Sequence, residues 1–248
     1  MIPVPPILRS ALLDRFPHGF TTRSGGVSEG PFASLNLGDR VGDDAARVEE
    51  NWSRLRAATG REFARARQVH GNRVLDAARP TELAEEADAV LSSTAGLAAC
   101  VSVADCVPIL IADPESGAVA AVHAGWRGTL ARVAEEAVRA LVREHRARPE
   151  RLLAAIGPSI GPCCYEVAPE LAERFRGELG QATGNPSPGQ ARVDLWLANE
   201  VVLRRAGVER RHIDQLRRCS SCEDGTFFSH RRDGGRTGRQ VGFIAPLS

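Results

Sequence analysis

Runs of apolar residues separated by short polar turns dominate the middle of the chain. The run at 107–112 is apolar at consecutive positions, which is typical of a strand buried on both faces of a sheet, although Pro108 cannot donate to a strand ladder. Predicted strands span residues 64–70, 87–91, 98–103, 107–112, 118–123, 152–156 and 240–244. Turn-forming residues at 113–117 indicate a hairpin between two of these strands.

Helical spacing of apolar residues marks the segments around these strands. Val48, Trp52 and Leu55 recur at the spacing of one helix face, and Gly60 follows as a stop signal. The predicted helices span residues 44–59, 129–145, 169–179 and 195–206. This order of helices and buried strands predicts a mixed α/β protein with one catalytic domain over residues 1–248, a layered sandwich with a central mixed sheet flanked by helices.

Composition and charge narrow the classes of protein. The hydrophobic fraction of 43% is ordinary for a globular protein, and a net charge of +1 gives no field that would attract nucleic acid or an anionic membrane. No apolar run approaches the roughly 18 residues that cross a bilayer, and the proline-rich start lacks the features of a signal peptide. We therefore expect a cytoplasmic protein with no nucleic-acid or membrane partner, whose six cysteines are reduced.

Arginine supplies every basic side chain, because none of the 32 basic residues is lysine. This excludes a Schiff-base lysine and a P-loop lysine. Any bound anion must be held by arginine or by backbone N–H groups. Arg127 is a candidate, because it lies at the entry to a predicted helix, where N–H groups attract anions; the alternative is a solvated arginine. Trp126 beside it could stack on a planar ring or pack in the core.

Three side chains that bind soft metals lie where apolar runs give way to loops. They are His70, Cys106 and His123. Strand ends in α/β folds collect ligand sites, and three nitrogen or sulfur donors with an open fourth position are typical of catalytic zinc. Two alternatives remain: a cysteine–histidine hydrolase pair, or three unrelated buried polar residues. Asp105, next to Cys106, could orient a metal ligand, contact substrate or cap a turn.

The remaining cysteines carry a weaker signal. Cys219 and Cys222 form a CxxC pair, which is half of a structural zinc site or a redox pair, and the sequence shows no second half. Cys163 and Cys164 lie in a loop rich in glycine and proline, where their thiols either line a cleft or pack locally.

Eight short segments, spread over nearly the whole chain, together resemble one protein family. They span residues 20–28, 34–38, 68–71, 104–108, 122–128, 156–161, 164–167 and 227–232. The family comprises bacterial proteins named for a multicopper polyphenol oxidase (laccase) domain, also described as purine nucleoside phosphorylases or peptidoglycan editing factors. His230 departs from the family pattern, in which tyrosine is common at that position, and this affects the expected substrate contacts of the tail.

The resemblance implies a fold, a metal and a set of reactions. The fold is similar to the catalytic domain of the cytotoxic necrotizing toxins. His70, Cys106 and His123 are the implied metal ligands, for zinc in the first place, with copper able to bind in vitro because Cu²⁺ competes strongly for such donors. The implied activities are phosphorolysis of adenosine, inosine, guanosine and methylthioadenosine, and deamination of adenosine. The partners would then be a purine nucleoside and phosphate.

Residues for these roles follow from the implied chemistry. Candidates for the phosphate are the arginines of three loops or helix starts, and candidates for the base and sugar are nearby amides and a carboxylate. The candidates are Arg23, Arg47 and Arg127 for the anion, and Asn36, Gln68 and Asp105 for the base or sugar, with Asp105 also counted as catalytic beside the three metal ligands.

Three readings of function remain open. The first is the zinc-dependent nucleoside enzyme. The second is a metal-free cysteine amidohydrolase editing peptidoglycan precursors, with Cys106 as nucleophile and His123 as base. The third is a binding protein without catalysis. A true laccase is not expected, because six histidines are too few to build a four-copper centre.

Overall fold

The computed structural model describes residues 5–78, 85–187 and 189–247. Within these ranges the strands are β1 (Ile7–Leu8), β2 (His18–Thr21), β3 (Glu62–Ala64), β4 (Val74–Asp76), β5 (Ala89–Ser92), β6 (Leu97–Val103), β7 (Val107–Ala112), β8 (Val119–Ala124), β9 (Leu153–Ile156), β10 (Gly184–Asn185), β11 (Arg192–Val193), β12 (Ile213–Gln215) and β13 (Gln240–Ile244). The α-helices are α1 (Ala45–Thr59), α2 (Trp126–Leu130), α3 (Val133–His145), α4 (Pro169–Leu179) and α5 (Leu195–Arg205).

Two mixed sheets form the centre of the fold. The first has the order β1-β2-β13-β6-β3 and the second has the order β12-β9-β7-β8-β5-β4. Their facing sides bury one apolar cluster that contains Phe20, Val101 and Leu110. The mixed α/β class with flanking helices is therefore confirmed, but two sheets stand where one central sheet was expected. The strand pattern alone does not say which strands pair, and β6 and β7, close in sequence, belong to different sheets.

Helices cover the outer face of each sheet. Trp52 and Leu55 of α1 pack with Phe63 and Phe243 on the first sheet. Helices α3, α4 and α5 cover the second sheet, where their apolar faces join its largest buried cluster. The layers therefore run helix, sheet, sheet, helices. Similarity to the toxin domain and the one-domain organisation stay predictions.

Most predicted elements agree with the structure to within about two residues at each end. Helix α1 shows why: the Asp44 carboxylate accepts the N–H groups of Ala46 and Arg47, and Gly60 ends the helix in the left-handed conformation. Pro108 lies near the start of β7, where its carbonyl accepts the Gly157 N–H at 2.8 Å just past the end of β9, so the donor that proline lacks falls at the end of that pairing.

Two predicted elements differ. The strand expected over 64–70 extends no further than Ala64. The N–H groups of residues 69 and 70 bind a side-chain carboxylate instead of a neighbouring strand. The helix expected over 129–145 begins earlier, at Trp126, and is interrupted at Arg132, whose φ of 60° is left-handed. Within the described residues, no helix combines the length and apolar character that a membrane span requires.

Candidate metal centre and its cavity

The connection between the two sheets positions Cys106. Strand β6 ends at Val103 in the first sheet, and β7 begins at Val107 in the second. Asp105 in this turn has a φ of 87°, which is unusual for a residue other than glycine. Its carboxylate accepts the Ser220 hydroxyl at 2.6 Å and the Arg231 N–H at 2.7 Å, and these bonds hold the turn. The Cys106 side chain is thereby fixed at the junction of the sheets.

A buried carboxylate that the sequence did not single out organises the histidine side. Asp88, fully buried just before β5, has its Oδ1 2.8 Å from Nδ1 of His123. His123 lies near the end of β8 and is itself buried. Because Asp88 occupies Nδ1, the Nε2 atom of His123 is the nitrogen left for a metal or a substrate. A carboxylate behind a metal-binding histidine sets its tautomer and its orientation.

The same carboxylate fixes the loop that carries His70. The N–H groups of Val69, His70 and Gly71 donate to Asp88 at 3.2, 2.9 and 2.7 Å. The backbone of His70 is left-handed, with a φ of 62°, which this set of bonds sustains. One carboxylate therefore positions both histidines.

The three predicted donors converge. The Cys106 Sγ lies 3.9 Å from Nε2 of His70, and one ligand atom from each of the three residues lies within 4.8 Å of the others. The two imidazole centroids are 4.8 Å apart at 76°. A Cβ at Gly125 would stand 2.9 Å from the Cys106 Sγ, so a larger residue there would displace the donors. Donors about 2.0–2.3 Å from one ion require separations of this size, so the residues fit a zinc ion.

The charges of the centre depend on one another. Burial alone would raise the pKa of the Cys106 thiol, but the imidazoles of His123 and His70 lower it to about 6. Burial alone would lower the pKa of His123, but Cys106 and Asp88 raise it to about 9. The pKa of Asp88 is lowered in spite of its burial, because His123 and the loop N–H groups stabilise the carboxylate. The donor set therefore favours an anionic sulfur, which is the form that binds a metal.

A cavity of about 590 Å³ opens onto the centre, a volume within the usual range for small-ligand sites. Besides the three donors, its wall includes Gln68, Asp105, Tyr165, His230, Arg231 and Arg239. Burial and then the negative charge of Cys106 raise the pKa of Tyr165 to about 12, so its hydroxyl stays protonated at neutral pH. The wall thus combines cations, an aromatic ring and the donors.

The predicted substrate residues separate into two groups. Gln68 lines the cavity, but both ends of its amide bind the backbone of Ser102 at 2.8 Å, so its role in holding the wall is already defined. Asp105 also lines the cavity, with both carboxylate oxygens occupied by protein donors. Contact of these two residues with a substrate stays a prediction.

The structure does not bring the other four to the cavity wall. Arg47 pairs with Glu29 at 2.9 Å on the exposed side of α1. Arg127 lies over the ring of Trp126 at 4.3 Å. Neither residue is among those that line this cavity.

Arg23 and Asn36 contact the protein backbone, and their substrate roles stay predictions. Arg23 donates to the carbonyls of Ala33 and Asp224 at 2.9 and 2.8 Å, which ties the glycine-rich loop to the tail. The buried Asn36 accepts the N–H groups of Gly38 and Arg239, both at 2.9 Å. Asn36 therefore acts on the cavity indirectly, by holding Arg239.

Sequence reasoning missed Asp88, Tyr165 and the arginines of the tail. A carboxylate between Ala87 and Ala89, inside an apolar run, was an available signal for Asp88. Tyr165 is the sole tyrosine of the chain. Arg239 stood in a basic tail that gave no reason to prefer one arginine over another.

The remaining histidines do not add donors to the centre. His18 and His212 contact the carbonyls of Phe16 and Glu150, each at 2.9 Å, and His145 lies 3.7 Å from Asp76. Only His230 joins the cavity wall. The donor set suits one metal ion and does not fit a four-copper centre.

A two-sheet α/β sandwich with two imidazoles and a thiol at the sheet junction defines the class: a candidate metalloenzyme with a small-molecule cavity. The chain belongs to the family described as multi-copper polyphenol oxidoreductase laccase, which matches residues 17–246. The resemblance noted in the sequence is thereby confirmed.

Relatives carry the names of enzymes. A protein of Deinococcus radiodurans named purine nucleoside phosphorylase is 45% identical, covering 96% of this chain and 92% of its own length. A protein of an unknown prokaryotic organism named adenosine deaminase RL5 is 37% identical, covering 88% and 89%. The crystal structure of YlmD from Geobacillus stearothermophilus superposes with a TM-score of 0.89 and 36% identity, covering 96% and 94%. These names support the expectation that this chain is an enzyme.

Proposed function

We propose that this protein is a zinc-dependent purine nucleoside phosphorylase that also deaminates adenosine and phosphorolyses methylthioadenosine, and that it works in the cytoplasm. The convergence of His70, Cys106 and His123 at one end of a cavity is the observation that carries the proposal. The names of the relatives supply the reaction class. These names mention no metal, so the support for zinc is the chemistry of the three donors.

The protein residues have distinct tasks in this proposal. Asp88 holds His123 in one tautomer and fixes the His70 loop. Cys106 contributes negative charge as a thiolate. Zinc, when bound by these three side chains, would act as a Lewis acid and lower the pKa of water at the site.

The cavity wall would bind the nucleoside and the phosphate. The ring of Tyr165 offers an aromatic face for the purine, and its protonated hydroxyl can donate to a base or sugar oxygen. Arg231 and Arg239 each donate to backbone carbonyls but also line the cavity, and they supply the cations that an anionic co-substrate needs. In phosphorolysis, a phosphate oxygen bonds to C1′ as the bond from C1′ to the purine nitrogen breaks, and the purine takes a proton. In deamination, water adds at C6 and ammonia leaves.

The test is a substrate panel with and without phosphate. Purified zinc-loaded protein is incubated with adenosine, inosine, guanosine and methylthioadenosine, and the free base, ribose 1-phosphate and inosine are separated by chromatography. His70→Ala and Cys106→Ser should abolish turnover, whereas His212→Ala, a histidine outside the cavity, should retain it. Full turnover in the first two variants would refute the proposal.

A second candidate rests on the order of Cys106, His123 and Asp88. A thiolate, an imidazolium and a buried carboxylate in a row also form the nucleophile, base and orienting group of a cysteine hydrolase. Its substrate would be an amide of a peptidoglycan precursor. His70 on the other side of the sulfur favours the metal. Amidase activity that survives chelator and is lost with iodoacetamide would instead establish the hydrolase.

A further inference from the structure

Four cysteines outside the cavity form a second cluster. The Sγ of Cys222 lies 3.6 Å from the Sγ of Cys163 and 3.4 Å from the Sγ of Cys164. With Cys219, the four sulfur atoms all lie within 4.8 Å of one another, and all four thiols are free. Two separate loops supply them in pairs: one loop follows β9, and the other follows β12.

The spacing of the sulfurs matches one tetrahedral ion. Four sulfurs at about 2.3 Å from zinc stand about 3.8 Å from each other, close to the separations seen here. A four-sulfur tetrahedral site is typical of zinc or iron among biological metals, and a set of four protein ligands leaves no open position. The half-site that the CxxC pair lacked in the sequence is therefore present in space.

A backbone N–H group points at one of these sulfurs. The N–H of Gly161 donates to the Sγ of Cys219 at 3.2 Å. Burial alone would raise the pKa of Cys219, but this N–H and that of Cys222 lower it. N–H donors toward a sulfur stabilise its charged form in the same way as donors toward a carboxylate.

Two arginines, each also paired with a carboxylate, donate to the backbone of the cysteine loops. A divalent ion with four thiolates has a net charge of about −2. The guanidinium of Arg192 contacts the carbonyl of Cys163, and the guanidinium of Arg232 donates to the carbonyl of Ser220 at 2.8 Å. Each of the two cysteine loops therefore has an arginine on its backbone.

The cluster adjoins the cavity through its neighbours in sequence. Tyr165, beside Cys164, lines the cavity. Ser220, beside Cys219, donates to Asp105 in the turn that presents Cys106. An ion in the cluster would join these two parts of the wall and stiffen them.

We propose that Cys163, Cys164, Cys219 and Cys222 bind a structural zinc ion, separate from the His70–Cys106–His123 centre. The site holds the two loops together and has no catalytic role. It does not depend on the reaction proposed above.

The test measures zinc per chain after loading and gel filtration under reducing conditions. Cys222→Ser should lower the zinc content by about one ion per chain relative to the unaltered protein. Cys106→Ser should also remove about one ion, from the other centre, and combining both changes should remove about two. Cys100→Ala is the matched control, because Cys100 lies in the core of the first sheet and should leave the content unchanged.

Two further measurements keep the proposal testable if Cys222→Ser folds poorly. Cys163→Ser alters an exposed position and should lose the same ion. In Cys106→Ser protein, zinc should protect about four thiols from a thiol reagent, and cobalt should give the strong sulfur-to-metal charge-transfer bands of a tetrathiolate site. Equal zinc content in Cys222→Ser and unaltered protein would overturn the proposal, as would a disulfide within the cluster in protein isolated with zinc present.

Discussion

The two sulfur-containing clusters differ in donors, in surroundings and in what holds them. The His70–Cys106–His123 centre mixes nitrogen and sulfur, faces a cavity and is organised by one buried carboxylate. The four-cysteine cluster uses sulfur alone, lies beside the cavity wall and is held by backbone N–H groups and arginines. Three donors leave a position for chemistry, whereas four close the coordination sphere.

The position of each cluster in the fold accounts for the difference between them. Cys106 lies where the chain crosses from one sheet to the other, at a cavity large enough for a nucleoside. The four cysteines lie where two loops meet, next to residues of the same cavity.

Loss of His123 is expected to have the largest effect. His123→Ala removes the donor that Asp88 orients, so turnover of the preferred nucleoside should fall at least about 100-fold. The four-cysteine cluster should keep its ion, so the zinc content should fall by about one per chain. Loss of zinc from both clusters in folded protein would show that they are not independent.

Asp88→Asn should weaken the first centre without removing a ligand. The amide cannot accept all the donors that the carboxylate accepts, so zinc affinity at that centre should fall about 10- to 100-fold. Competition with a chromogenic chelator measures the affinity. Asp113→Asn is the control, since Asp113 is another buried aspartate that binds turn N–H groups and lies outside both clusters; an equal loss there would contradict the assigned role.

Tyr165 belongs to the part of the cavity wall that lies next to the four-cysteine cluster. Tyr165→Leu removes the aromatic face, and KM for the nucleoside should rise about 10-fold with a smaller change in kcat. Arg47→Ala should leave KM unchanged, because Arg47 pairs with Glu29 outside the cavity. A rise in KM for Arg47→Ala without one for Tyr165→Leu would instead support the substrate role expected from the sequence for Arg47.

Cys222→Ser should act mainly on stability. The melting temperature of zinc-loaded protein should drop by about 5 °C or more, whereas turnover should change only a few-fold. Calorimetry and steady-state kinetics on the same preparation measure both. A loss of turnover as large as that of His123→Ala would assign the cluster to catalysis.

His18 lies outside both clusters and is expected to make the free energy of unfolding depend on pH. Burial, together with the charge of Arg9, lowers the pKa of His18 below its ordinary 6.5, although the contacts of the ring with the backbone of Phe16 and Ser10 oppose this shift. As the pH falls, the unfolded chain binds this proton before the folded chain does. With respect to this group, the free energy of unfolding is therefore highest above pH 6.5 and decreases as the pH falls below it. The free energy of unfolding should change by at most about 1.4 kcal/mol per pH unit because of this group. Denaturant unfolding of His18→Gln should show a shallower slope; an unchanged slope would exclude His18 as its source.

Much of the architecture could be predicted from local pattern. The apolar runs located β7 and β8 and the turn between them, and Asp44 with Gly60 bounded α1. The left-handed Arg132, which interrupts the helix after Leu130, left no mark in the apolar stripe. The loop before His70 was mistaken for a strand, because its N–H groups bind a carboxylate that lies 17–19 residues further along.

Residue pattern alone was enough to predict most of the elements, the mixed α/β class and His70, Cys106 and His123 as candidate donors. Folding alone places β6 and β7 in different sheets, lets Asp88 contact both the His70 backbone and the His123 ring, and puts Arg239 instead of Arg47 at the cavity. It also paired Cys163 and Cys164 with Cys219 and Cys222, about 55–60 residues apart. The physical reason is range: propensity and periodicity act over a few neighbouring residues, whereas a site is built by side chains that folding brings together from distant parts of the chain.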